Sequence, residues 1–262
     1  MINEVRSWLW DNRKVLIVIA LFIGVLELVY FVPFYLMWWT LALAVILALG
    51  IWWLSGFTSE ISKWWLLWLE SIWMVAGGLG FLLFNLLDNW QFQIAAAVLA
   101  IIVFAMIRAY EIYLTTGKWP VRAFAFLNFL NVLAFFFVSA GLLSAADFYS
   151  LNLGVLLIGF AAQVLLAINL RFWREGVASV RKWLYATITV LVMEEILWIV
   201  SSWHRGVYLK SFLLTIIFYI FADFIMHYSR GSLTVKVAVE YVGLVLLLLV
   251  AMFVFDWLFI LQ

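Results

Sequence analysis

The stretch RKWLYATITVLVMEEILWIVSSW, residues 181–203, decides how this chain is read. Between Arg181–Lys182 and Ser201–Ser202 it is an apolar run broken chiefly by two adjacent glutamates, Glu194 and Glu195. A helix rises 1.5 Å per residue and needs about 20 apolar residues to cross the hydrocarbon core of a bilayer. The run has that length, so the expectation is a membrane-spanning helix. Its glutamates then need a reason, because each carboxylate costs roughly 2.5–3.5 kcal/mol at mid-membrane on insertion scales.

The composition extends this reading to the whole chain. Of 262 residues, 69% are hydrophobic and only 11% are charged. A soluble domain is about half apolar and a quarter charged, and a soluble fold of this size could not bury such an excess. The apolar surface must face lipid. Only helices or closed barrels satisfy their backbone there, and continuous runs rather than ten-residue alternations favour helices. The predicted fold is therefore all-α, a polytopic transmembrane bundle forming a single integral membrane domain over 1–262. Nine spans are expected, near 15–34, 37–56, 64–87, 93–115, 121–144, 151–172, 182–203, 208–229 and 236–260. Eight is the alternative, since VPFYLMWW leaves a tight connection around Pro33. The first run lacks a small-x-small cleavage site and reads as a retained span rather than a signal peptide. No soluble domain, low-complexity tail or clear repeat is visible.

Charge placement supports nine. Twelve of the fifteen Lys and Arg (Arg6, Arg13, Lys14, Lys63, Lys118, Arg122, Arg171, Arg174, Arg181, Lys182, Arg230 and Lys236) fall on one side of the alternating spans. Only Arg205 and Lys210 fall on the other, with Asp88, Asp147 and Asp256; Arg108 lies inside the fourth span. The positive-inside rule then places the N-terminus in the cytoplasm and the C-terminus outside. Merging one pair of spans would scramble this alternation. Localisation is expected in a prokaryotic inner membrane. Tryptophans at span ends, such as Trp38–Trp39, Trp52–Trp53 and Trp64–Trp65, suit interfacial anchoring. GGLG, Gly77 to Gly80, lets another helix approach closely.

The intramembrane ionisable residues are the candidate site: Glu27, Arg108, Glu111, Glu194, Glu195, Asp223, His227 and Glu240. Arg108 and Glu111 are three apart, and Asp223 and His227 four apart, so each pair shares a helix face. A carboxylate beside an imidazole suits a proton relay or a metal site. With two histidines and no cysteine in the chain, no metal and no cofactor is implied. Glu194 and Glu195 point about 100° apart and would repel if both were ionised, so one is expected to be protonated or paired. A retinal protein would need a lysine in the middle of its last span, and a prenyltransferase paired Asp-rich motifs. Lys236 opens the last span, and NLLD, Asn85 to Asp88, stands alone.

At EEILW, Glu194 to Trp198, the sequence resembles the first motif of the CAAX-processing and bacteriocin-processing (CPBP) intramembrane proteases. Ile199 stands where that motif has arginine. His227 matches the histidine of the family's Phe-x-x-x-His motif, with Asp223 in the Phe position. RGSLTVKVAVEY, Arg230 to Tyr241, is similar to the approach to a third motif, with Glu240 and Leu244 replacing its histidine and asparagine. The resemblance covers at most the last 70 or so residues. It implies Glu194, Glu195 and His227 as catalytic groups around an activated water, in a diverged relative that is either active or inactive.

Three functions follow. Glu194, Glu195, Asp223 and Glu240, with Glu27, Arg108 and Glu111, could handle a small solute, ion or lipid without enzymatic chemistry. This leads. A CPBP-like enzyme comes second, and a non-catalytic membrane assembly partner third. Short loops leave the bilayer and another membrane protein as the expected partners, and no nucleic acid.

Overall fold

The structure, a computed structural model, describes residues 13–31, 36–54, 61–84, 89–116, 119, 121–177, 179–203, 205–237, 239–244, 246–247 and 250. All regular structure among them is helical. The helices are α1 (Arg13–Phe31), α2 (Leu36–Leu54), α3 (Ile61–Phe84), α4 (Asn89–Thr116), α5 (Val121–Tyr149), α6 (Leu153–Arg174), α7 (Ser179–Ser201) and α8 (Val207–Ser229). The described part of 235–250 is helical too and is designated α9. The bounds of α1 to α8 agree with the first eight expected segments to within five residues. The tight connection at Pro33, residues 85–88, His204, Arg6, Lys118 and Asp256 lie outside the described residues.

Among the described residues, five stretches are long and apolar enough to cross a membrane: Trp90–Tyr113, Val121–Tyr149, Leu153–Arg174, Arg181–Ser201 and Val207–Ser229. Such helices are those of an integral membrane protein. The chain divides into two compact units, Met1–Ala145 and Ala146–Gln262.

In the first unit α1 packs on α2 and α4, α2 on α3, and α3 on α4, closing a ring. Val15, Val18, Phe22, Leu26 and Val29 recur every three or four residues and form the buried stripe of α1. Phe92, Ala96, Leu99, Val103 and Ile107 do the same on α4. The opposite faces are apolar as well, with Ile17, Leu21, Ile94 and Ile101 exposed. That is the pattern of helices whose second face is lipid. Gly77 is where α3 meets α5. A Cβ there would lie 2.7 Å from Val138 Cγ2 and 3.2 Å from the Ala134 carbonyl oxygen. The expected close approach at the glycine run is present at Gly77.

In the second unit α7 packs between α6 and α8. Tyr185 of α7 meets Phe172 of α6 (ring centroids 6.4 Å apart) and Tyr228 of α8 (6.0 Å). At the other end of α7, Lys210 Nζ donates to the Ser201 carbonyl at 3.1 Å, placing a cation on the partial negative charge of a helix C-terminus. These two contacts make α7 and α8 antiparallel and fix their register.

Two helices of this unit end alike. Gly176 N–H bonds the Trp173 carbonyl and Val177 N–H that of Phe172, closing α6. Gly231 N–H bonds the Tyr228 carbonyl and Ser232 N–H that of His227, closing α8. Both are Schellman caps, and both glycines take the left-handed conformation the motif needs, with φ of 68° and 66°. Glu175 and Arg230 are the two C-cap residues.

Candidate functional site

Asp223, in the penultimate turn of α8, is held from two other helices. Arg171 of α6 donates from Nη2 to its Oδ1, and the Tyr241 hydroxyl of α9 donates to its Oδ2. The Arg171 guanidinium also lies 5.7 Å from the Tyr219 ring centroid, within cation–π range. One carboxylate thus ties three helices together, with its charge met by a guanidinium. A second ion pair, Arg230 with Glu175, joins the C-caps of α8 and α6 one level further along. On α6 the order is cation then anion, and on α8 anion then cation, so only one register satisfies both pairs.

His227 lies between these two pairs. Its Nε2 is 3.9 Å from Asp223 Oδ2, too long for a hydrogen bond but close enough for charge to be felt. Its Nδ1 hydrogen-bonds Ser232 Oγ at 3.0 Å, and its carbonyl accepts from Ser232 N–H and Oγ. The imidazole is therefore anchored to the cap of its own helix. Asp223 and His227 share a face, as their spacing predicts.

Glu194 and Glu195 stand elsewhere. Tyr185 is level with Tyr228, so Glu194, nine residues further along α7, lies about 12 Å along the axis from the level of His227. Glu194 is half-buried, and Glu195 lies on the exposed face of α7 with Leu191, Trp198 and Ile199. Neither makes a hydrogen bond or ion pair with any described residue.

The other candidates are mostly partnered. Gln93 of α4 donates an amide hydrogen bond to Glu27 of α1 at 3.1 Å. Arg108 and Glu111 form their expected pair along α4. Glu240 is exposed on α9, next in sequence to Tyr241 but without an ion pair to a described residue. No group of three His, Asp or Glu among the described residues is placed to hold a metal.

The candidate list drawn from sequence omits Glu70, buried in α3 beside Ser71. The same hydropathy criterion finds it, inside WWLLWLESIW. Arg171, Glu175, Arg230 and Tyr241 lie at or near predicted span ends, where loop charge or an aromatic is expected in any case. Only the fold shows that they converge.

Three cavities of about 300 Å³ each are lined almost wholly by apolar side chains. One lies between α8 and α9, walled by Ile220, Phe221, Phe224, Tyr241, Val242 and Leu246. The Tyr241 side chain that holds Asp223 is part of that wall. No protein family, curated protein or solved structure matches this chain.

Proposed function

We propose that this protein handles a small solute, an ion or a lipid within the membrane through Glu194 and Glu195, while Asp223 serves the fold. One observation carries this reading. Asp223, Glu27 and Glu111 each have a fixed partner, whereas Glu194 and Glu195, deep in α7, have none among the described residues. A carboxylate in hydrocarbon is stable only if something neutralises it: a proton, a cation, or a cationic or hydrogen-bonding group of a bound solute.

The geometry of α7 adds to this. Glu195 is six residues, about 9 Å, from the end of the helix at Ser201. Helical side chains tilt toward the N-terminus, away from that nearer end, so its carboxylate cannot simply reach the boundary as a lysine near a helix end does. The neutralising group must come to it.

The nine-span arrangement, with the N-terminus in the cytoplasm of a prokaryotic cell and the C-terminus outside, belongs to the same proposal. It is supported by Arg171, Arg174, Arg181, Lys182, Arg230 and Lys236 lying at one end of α6 to α9. Infrared difference spectra between acid and neutral forms in lipid test the role of the glutamates. The wild-type spectrum should contain a carboxyl carbonyl band that Glu194→Gln with Glu195→Gln removes. Identical spectra for the two proteins would sink the proposal.

A further inference from the structure

We infer that the groove between α8 and α9 seats an acyl chain of an anionic phospholipid, with its phosphate at the basic end of the second unit. This site is separate from Glu194 and Glu195 and does not depend on what they bind. Ile220, Phe221 and Phe224 of α8 and Tyr241, Val242 and Leu246 of α9 line a groove of about 300 Å³, the lower end of the range for ligand pockets. It is open along its side, since Val242 and Leu246 are each more than half exposed. Val242 to Leu246 is one helical turn, so the groove runs along the helix axis, the direction an acyl chain takes.

The turn that joins α8 to α9 closes one end of this groove and is basic. Arg230 follows Phe224 by six residues, about 9 Å, and Lys236 precedes Tyr241 by five, about 7.5 Å. The contact of Tyr185 with Tyr228 brings the start of α7 to the same end, and Arg181 and Lys182 lie about one turn before Tyr185. Arg230 is held by Glu175 but remains half exposed. Arg181, Lys182 and Lys236 make no ion pair with any described residue. Against these three cations stands, among the described residues of the unit's basic end, one unpaired acid, Glu240, a turn beyond Lys236 on α9. The end is therefore net positive where the apolar groove opens.

Charge decides the class of lipid. A groove alone accepts any acyl chain, but cations near a membrane surface select anionic headgroups. The end carrying them is the one read as cytoplasmic, the leaflet where such basic clusters meet anionic lipid.

Native mass spectrometry of the detergent-purified protein tests this with three probes: dioleoylphosphatidylglycerol, dioleoylphosphatidylcholine and glycerol 3-phosphate. The anionic lipid should bind about tenfold tighter than the zwitterionic one, and glycerol phosphate should not be retained. Replacing Arg181, Lys182 and Lys236 by glutamine should bring the two lipids to within about twofold of each other, leaving phosphatidylcholine binding unchanged. Val242→Trp, which fills the groove from an exposed position, should weaken both lipids. Equal binding of the two lipids by the wild type would overturn the inference. So would retention of glycerol phosphate alone, an undiminished preference in the triple variant, or no effect of Val242→Trp.

Discussion

At the scale of single residues, the carboxylates of this protein divide into those that hold the fold and those left over. Asp223 belongs to the first kind. Asp223→Asn should lower unfolding stability by about 3–5 kcal/mol, because it leaves the buried Arg171 guanidinium without its counter-charge. Glu195 belongs to the second. Glu195→Leu places an apolar side chain on the exposed apolar face of α7 and should raise stability by about 2 kcal/mol. Reversible unfolding in mixed micelles measures both. A stabilised Glu195→Leu with unchanged infrared bands would mean the glutamate has no ligand to bind. A strongly destabilised one would mean that it has a structural partner.

Helix ends and crossings set the next level. The Schellman caps of α6 and α8 place Glu175 and Arg230 against each other, and both depend on a glycine with positive φ. Nothing lies within 4 Å of a Cβ at either Gly176 or Gly231. Gly176→Ala and Gly231→Ala should therefore each cost only the left-handed penalty of about 1–2 kcal/mol. Gly77→Ala differs in kind, since its Cβ would meet both Val138 and the Ala134 carbonyl. Overpacking there should cost about 1–3 kcal/mol and push α3 from α5. Calorimetry of the three variants should show Gly77→Ala rescued by Val138→Ala and the cap variants unaffected by it. The rescue should be partial, since the Ala134 carbonyl still faces the added Cβ, and a Gly77→Ala variant as stable as wild type would mean that α3 and α5 do not pack through Gly77.

For the whole molecule, the all-helical character and the bounds of the first eight helices were legible because lipid demands long apolar runs, and loop charges end them. The faces were not legible. Ile17 and Val18 are both apolar, yet one is exposed and the other buried, because hydrocarbon and protein interior make the same demand on a side chain. For the same reason the convergence of Arg171, Asp223 and Tyr241 could not be read. They come from three helices, and only the pairing of Asp223 with His227, four residues apart, left a local trace. Glu194 and Glu195 stood out from the start as polar groups in an apolar run, and their isolation from the clasp is what the fold adds. The orientation has its own check. The chain contains no cysteine, so a single Ser202→Cys or Arg181→Cys is an unambiguous label site. In intact cells a membrane-impermeant maleimide should react with the first and not the second. The opposite pattern would invert the topology.

The most direct test of the division between Asp223 and the glutamate pair is the melting temperature in detergent, followed from acid to neutral pH with and without sodium. Glu194→Gln with Glu195→Gln should melt no lower than wild type but lose part of its response to pH or sodium, while Asp223→Asn should melt lower throughout and keep that response. A double variant that melts far below wild type with its pH and sodium response intact would contradict that division, since Glu194 and Glu195 would then be structural.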